Sequence, residues 1–181
     1  MKISSLILKL FGWSVTCSVP DYPKCIICVA PHTSNWDFIL GKLAYASLGR
    51  KAGFLMKDTW FFWPMGVFFR SIGGIPVPRK KKSSKSLTEI IIDKFNKSQK
   101  LTLAITPEGT RSRTTSWHTG FLHIAIQANV PIVLGAIDFK SKQILLQKTF
   151  SPSGNIEQDL LLVKNFYKPF KGKYPDKFTT E

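Results

Sequence analysis

Apolar and polar positions follow two rhythms along the chain. Residues 25–30, 101–105 and 132–137 are short, nearly unbroken apolar runs bounded by turn residues, the pattern of strands buried on both faces. Residues 36–48, 86–97, 119–128 and 159–167 instead repeat apolar positions three and four apart, which predicts helices with one buried stripe. Ser34 or Asn35 serves as N-cap of the first of these. Residues 52–56 and 75–77 add shorter strands, 143–146 an edge strand, and 60–71 an aromatic helix broken near Pro64. Strands alternating with helices predict an α/β fold: a mostly parallel central sheet flanked by helices.

At the start of the chain Ile3, Leu6, Ile7, Leu10 and Phe11 recur at helical spacing, with Trp13 beyond. This predicts an N-terminal amphipathic helix, either packed on its own domain or lying in a membrane interface. Residues 1–19 are set apart as that helix, a possible membrane anchor, and residues 20–181 as a single α/β domain. Lys9 interrupts the apolar stretch and no clean small-x-small site follows, so a secretory signal is not the better reading. The aromatic cluster at 60–69 contains Pro64 and Gly66 and is too short to cross a bilayer.

Charge changes the picture of partners. Against 11 acidic residues stand 26 Lys and Arg, a net +15 on 181 residues. Nucleic acid, an anionic lipid surface or a phosphorylated substrate would each explain such an excess. Nucleic acid is set aside: no recognised motif is present, and the aromatic residues lie apart from the basic run Arg79-Lys80-Lys81-Lys82-Ser83-Ser84-Lys85. Three cysteines make no disulfide framework. Cys25 and Cys28 would point to opposite faces of a strand, which suits small buried hydrophobes better than a metal or a disulfide and fits a reducing compartment.

Two segments carry candidate chemistry. In Pro31-His32-Thr33-Ser34-Asn35-Trp36-Asp37 a histidine precedes a helix and an aspartate lies on its first turn. The carboxylate can hold one imidazole tautomer and leave the other nitrogen free as a base. An aspartate there also suits the helix dipole with no catalytic role. No G-x-S-x-G nucleophile turn occurs, and Ser34 is too close to His32 along the chain to be attacked through it. A base at His32 would therefore act on a substrate hydroxyl. The second segment, Thr106-Pro107-Glu108-Gly109-Thr110-Arg111-Ser112, is a tight turn after a strand, with an arginine fork suited to phosphate or to a surface salt bridge. His118 and His123 lack acidic or cysteine companions and read as solvent-facing or packing residues, so no metal site is expected.

Together these segments resemble the glycerolipid acyltransferase family, which includes the 1-acylglycerol-3-phosphate acyltransferases. His32 to Asp37 is similar to its H-x4-D block, and Gly73-Gly74-Ile75-Pro76-Val77-Pro78-Arg79 to its second. Pro107 to Ser112 resembles the third block and Val130-Pro131-Ile132-Val133 the fourth. The chain departs from the pattern at Pro31, Thr106 and Pro78, none of which removes a catalytic group.

The resemblance implies an O-acyltransferase of phospholipid biosynthesis. It would move a fatty acyl group from an acyl-CoA or acyl carrier protein thioester to the hydroxyl of 1-acylglycerol-3-phosphate, giving phosphatidic acid. His32 and Asp37 would be catalytic; Arg79, Glu108, Gly109, Thr110 and Arg111 would bind substrate, the two arginines holding phosphate. No bound cofactor is implied. Another lysolipid, an aminolipid acceptor or an idle lipid-binding module fits the same residues. The partners expected are a lysophospholipid, an acyl thioester and an anionic membrane. Peripheral attachment to the cytoplasmic face of that membrane would use Leu6, Leu10, Phe11, Trp13, Trp60, Phe61, Lys80, Lys81 and Lys82.

Overall fold

Strand β2 (Lys24–Ala30) lies at the heart of a seven-stranded sheet. The computed structural model describes residues 2–77 and 86–181. Its sheet also contains β1 (Ser14–Cys17), β3 (Gly53–Lys57), β4 (Gly74–Val77), β5 (Leu101–Ile105), β6 (Ile132–Asp138) and β7 (Gln143–Phe150), in the order β1-β7-β6-β2-β5-β3-β4. Every neighbouring pair is parallel except β6 and β7, which are joined by a short turn and pair antiparallel. The expected α/β architecture is the one observed.

Alternation along β2 sorts its side chains between two cores. Ile26, Cys28 and Ala30 pack with Phe95 of α4 (Leu87–Lys97), Phe121 of α5 (Gly120–Ala128) and Tyr167 of α6 (Ile156–Tyr167). Cys25 and Ile27 face the other way, toward Tyr45 of α2 (Asn35–Ser47). The two cysteines thus lie on opposite faces, and all three cysteines are free. Fully burying a side chain such as Phe95 or Ile26 contributes about 1.5–3 kcal/mol, so the strand pattern and the fold support one another.

Three sequence expectations change. Helix α1 (Ile3–Leu10) forms, but residues 14–17 then become a strand at the edge of the sheet, parallel to β7. The first 19 residues therefore include part of the main sheet. Second, β7 is longer than expected and is no edge strand: it is enclosed by β1 and β6. Third, Trp13 does not face a membrane. It is 9% exposed, packs edge-on against Phe139 at 5.0 Å, and joins Leu8 and Leu40 in a third core cluster under α1. The aromatic segment splits into a 3-10 turn, Asp58–Trp60, and a separate helix α3 (Met65–Ser71) that starts just after Pro64.

Topology fixes where a ligand can enter. From β2 the chain passes through α2 on one face; from the adjacent β5 it passes through α5 on the other. Neighbouring strands whose connections leave to opposite faces open a crevice beyond their carboxyl ends. The loops at that point are residues 31–34 and 106–119, which hold both candidate segments.

Candidate active site

Asp37 is the third residue of α2, with Ser34 as N-cap. One carboxylate oxygen, Oδ2, accepts the backbone N–H groups of Thr33 and Ser34 at 2.7 Å each. The other accepts the Ser34 hydroxyl at 2.9 Å. The group is buried, and its position in the first helical turn also suits the dipole. Its helix-capping and histidine-orienting roles are therefore compatible: Oδ2 also lies 3.3 Å from Nδ1 of His32. That contact leaves Nε2 as the free nitrogen of the ring. The Ser34 hydroxyl is engaged by Asp37 rather than by His32.

Glu108 lies behind His32. It is 4% exposed, and its Oε1 accepts the His32 backbone N–H at 3.1 Å. This bond ties the loop after β2 to the loop after β5. Burial pushes the carboxyl up to about 7; the His32 N–H opposes the rise and the nearby Asp37 charge adds to it. Among the described residues Oε2 has no hydrogen-bond partner, which costs less for a carboxyl that burial holds toward its neutral form. Glu108 thus braces the His32 backbone, and it is not among the residues that line the cavity.

The other residues of the second segment separate. Gly109 and Arg111 line the cavity, whereas the Thr110 hydroxyl accepts the Ser112 N–H at 3.2 Å within its own turn. Gly109 has a φ of +64, and a Cβ there would collide with the His118 ring. The loop needs glycine on both counts. His118, read from sequence as a bystander, lines the cavity together with His32. Arg79, Lys80, Lys81 and Lys82 lie outside the described residues.

The cavity has a volume of about 820 Å³ and is largely apolar. It runs from His32 and Asp37 past Val29, Gly41 and Tyr45 under α2, and past Ile91 and Phe121 on the other face. Sequence reasoning missed Lys42, which also lines it. Its ammonium donates to the carbonyls of Ala52 (3.1 Å) and Ile72 (2.6 Å) and sits 5.6 Å from the Phe54 ring centroid, tying α2 to the β3 side. Burial lowers its pKa. A lysine on an amphipathic helix gives no sequence signal that it will turn inward.

Surface apolar groups are numerous. Leu6 and Leu10 of α1 and Phe11 at its C-cap are exposed, as are Trp60, Phe62, Trp63 (84%) and Phe68 around α3. Phe61 departs from expectation: it is half-buried, packed on Phe69 at 6.0 Å with the Arg70 guanidinium 5.5 Å from its ring. Gly66 and Gly74 let the backbone close around it. Among the described residues, no helix is long and apolar enough to cross a membrane.

Fold and site together define an α/β protein with a carboxylate-held imidazole opening onto an apolar cavity at the sheet's switch point. The acyltransferase family model matches residues 18–137, and the chain belongs to that family. It is similar to the 1-acyl-sn-glycerol-3-phosphate acyltransferases of Salmonella typhimurium (26% identical) and Escherichia coli K12 (27% identical), each over 150 residues and 77% of this chain. The chain spans 58% of the length of these curated relatives. Its fold is shared with the crystal structure of the 1-acyl-sn-glycerophosphate (LPA) acyltransferase PlsC from Thermotoga maritima. That match has a TM-score of 0.64 and 20% identity, over 92% of this chain and 74% of that one.

Proposed function

We propose that this chain transfers a fatty acyl group from a thioester to the free hydroxyl of 1-acylglycerol-3-phosphate, giving phosphatidic acid at the cytoplasmic face of a membrane. The observation that carries the reading is the His32–Asp37 pair at the mouth of a large apolar cavity. The names of its relatives support the choice of acceptor.

Asp37 holds the proton on Nδ1, and Nε2 takes the acceptor's hydroxyl proton as its oxygen attacks the thioester carbonyl. The tetrahedral intermediate carries the negative charge on the former carbonyl oxygen. Its collapse breaks the C–S bond, and the imidazolium returns its proton to the departing thiolate. A positioned base contributes about 10²–10⁴-fold, and holding both substrates together adds more. A thioester is already activated, so the step consumes no nucleotide. Arg111 serves the acceptor's phosphate, with Arg79 as its expected companion; the cavity holds apolar chain. Exposed apolar groups on α1 and around α3, with the basic stretch, attach the protein peripherally to anionic lipid.

Purified protein in detergent, given acyl thioesters and a panel of lysolipids, should release free thiol and form diacyl product with 1-acylglycerol-3-phosphate. Thiol release only with another lysolipid or an aminolipid would reassign the acceptor. No release with any pair would leave a lipid-binding module.

A further inference from the structure

A two-substrate site needs two places to hold charge, and Arg111, which lines the cavity with His32, accounts for one. A second group of cations is carried by the C-terminal segment, residues 168–181, beyond the family match at 18–137. The Lys171 N–H donates to Asp138 Oδ1 at 2.9 Å, and the Phe139 N–H donates to the Lys171 carbonyl at the same distance. These bonds seat the segment at the carboxyl end of β6. Gly172 packs so closely on Thr33 that no Cβ fits, and the Tyr174 N–H donates to Thr33 Oγ1 at 3.2 Å. Thr33 is the residue after the catalytic histidine.

On this strap, cations and rings alternate. The Lys173 ammonium lies 5.1 Å from the Trp36 ring centroid and 5.8 Å from that of Tyr174, and Lys177 lies 4.7 Å from Tyr174. Trp36 is 52% exposed and Tyr174 46%. Trp36 stands immediately before Asp37 in the first turn of α2, so the series begins one residue from the His32–Asp37 pair. Four lysines (168, 171, 173 and 177) stand against Asp176 and Glu181 across these 14 residues. Glu181 is engaged by Arg113 at 3.6 Å.

Resting on the acyl-transfer reading above, we propose that Trp36, Lys173, Tyr174 and Lys177 bind the phosphorylated adenosine end of an acyl-CoA donor. A purine offers a flat π-face for Trp36 or Tyr174, and its phosphates offer charge for the intervening ammonium groups. An acidic carrier protein would present carboxylates and leave both ring faces without a matching group.

The test uses the full chain and a Lys173→Ala/Lys177→Ala double variant, with two readouts. Adenosine 3′,5′-bisphosphate binding by calorimetry should weaken about tenfold or more in the variant, as expected for lost charge-assisted contacts. Donor kinetics should show a similar rise in KM for acyl-CoA, with acyl-pantetheine, which lacks the nucleotide, unchanged within about twofold. Equal loss with both thioesters would overturn the proposal and leave the strap as a brace for Thr33. With acyl carrier protein thioester as a third donor, loss confined to that donor would overturn the proposal and assign the surface to that partner instead. Unaltered bisphosphate binding, or none in the wild type, also overturns it. If the wild type turns over no thioester, the acyl-transfer reading fails, while the bisphosphate measurement still decides this site.

Discussion

His32 and Asp37, separated by four residues of a strand-to-helix turn, are brought within 3.3 Å. Because Asp37 also satisfies two backbone N–H groups, its replacement affects loop and base together. His32→Ala should therefore lower kcat by about 10²–10⁴-fold with an unchanged melting temperature, and Asp37→Asn should lower both. Thiol release and thermal unfolding, measured side by side, check this; a folded His32→Ala protein within a few-fold of wild type overturns the mechanism. Glu108 yields a pH prediction. Its carboxyl is raised from the ordinary 4.5 to about 7 in the folded protein. Between those values the folded state holds a proton that the unfolded state has lost, so this group's contribution falls as pH rises through the window. Glu108→Gln keeps an acceptor for the His32 N–H and removes the titration. Its melting temperature should gain on the wild type between pH 4.5 and 7 and hold that gain above. A difference independent of pH would show that Glu108 does not titrate there.

At the scale of elements, the loop after β5 and helix α1 each make a claim that can be separated from the rest. Arg111 lines the cavity on an exposed turn, so Arg111→Ala should raise acceptor KM about tenfold while leaving stability alone. Arg111→Lys should rescue poorly, because an ammonium lacks the planar fork. Saturation kinetics in the acceptor decide it: an unchanged KM removes Arg111 from phosphate binding. In α1, Leu8 and the following Trp13 are buried while Leu10 and Phe11 are not. Trp13→Ala should cost about 3–5 kcal/mol of unfolding free energy, against under about 0.5 for Phe11→Ser. Denaturant titration of the two variants checks whether the core reaches this far toward the N-terminus.

Membrane docking belongs to the whole molecule, since it depends on net charge and on apolar groups from separate elements. Polar replacements at Leu6, Leu10 and Phe11 should weaken vesicle binding at every salt concentration, because burial of apolar surface is not screened. Replacing Lys80, Lys81 and Lys82 with Gln should instead weaken it at low salt and flatten its salt dependence, at about 1 kcal/mol per charge. Co-sedimentation with anionic vesicles across a salt series distinguishes the two. If the wild type stays in the supernatant even at low salt, membrane docking is wrong.

Local periodicity by itself determined most elements, because a doubly buried strand such as 25–30 and an amphipathic helix such as 36–48 each declare their environment within a few residues. It also placed His32 and Asp37 together, since a capped helical turn brings near neighbours into reach. The four-residue β1 carried too little pattern to be legible, and its presence put β7 inside the sheet. The inward turn of Trp13, the closure around Phe61, the cavity role of His118 and the bond from His32 to Glu108 all join residues distant in the chain or depend on what packs beside them. Sequence spacing holds no record of such contacts. Only the order of the strands, with β2 set beside β5, brought the two loops together and made a site of them.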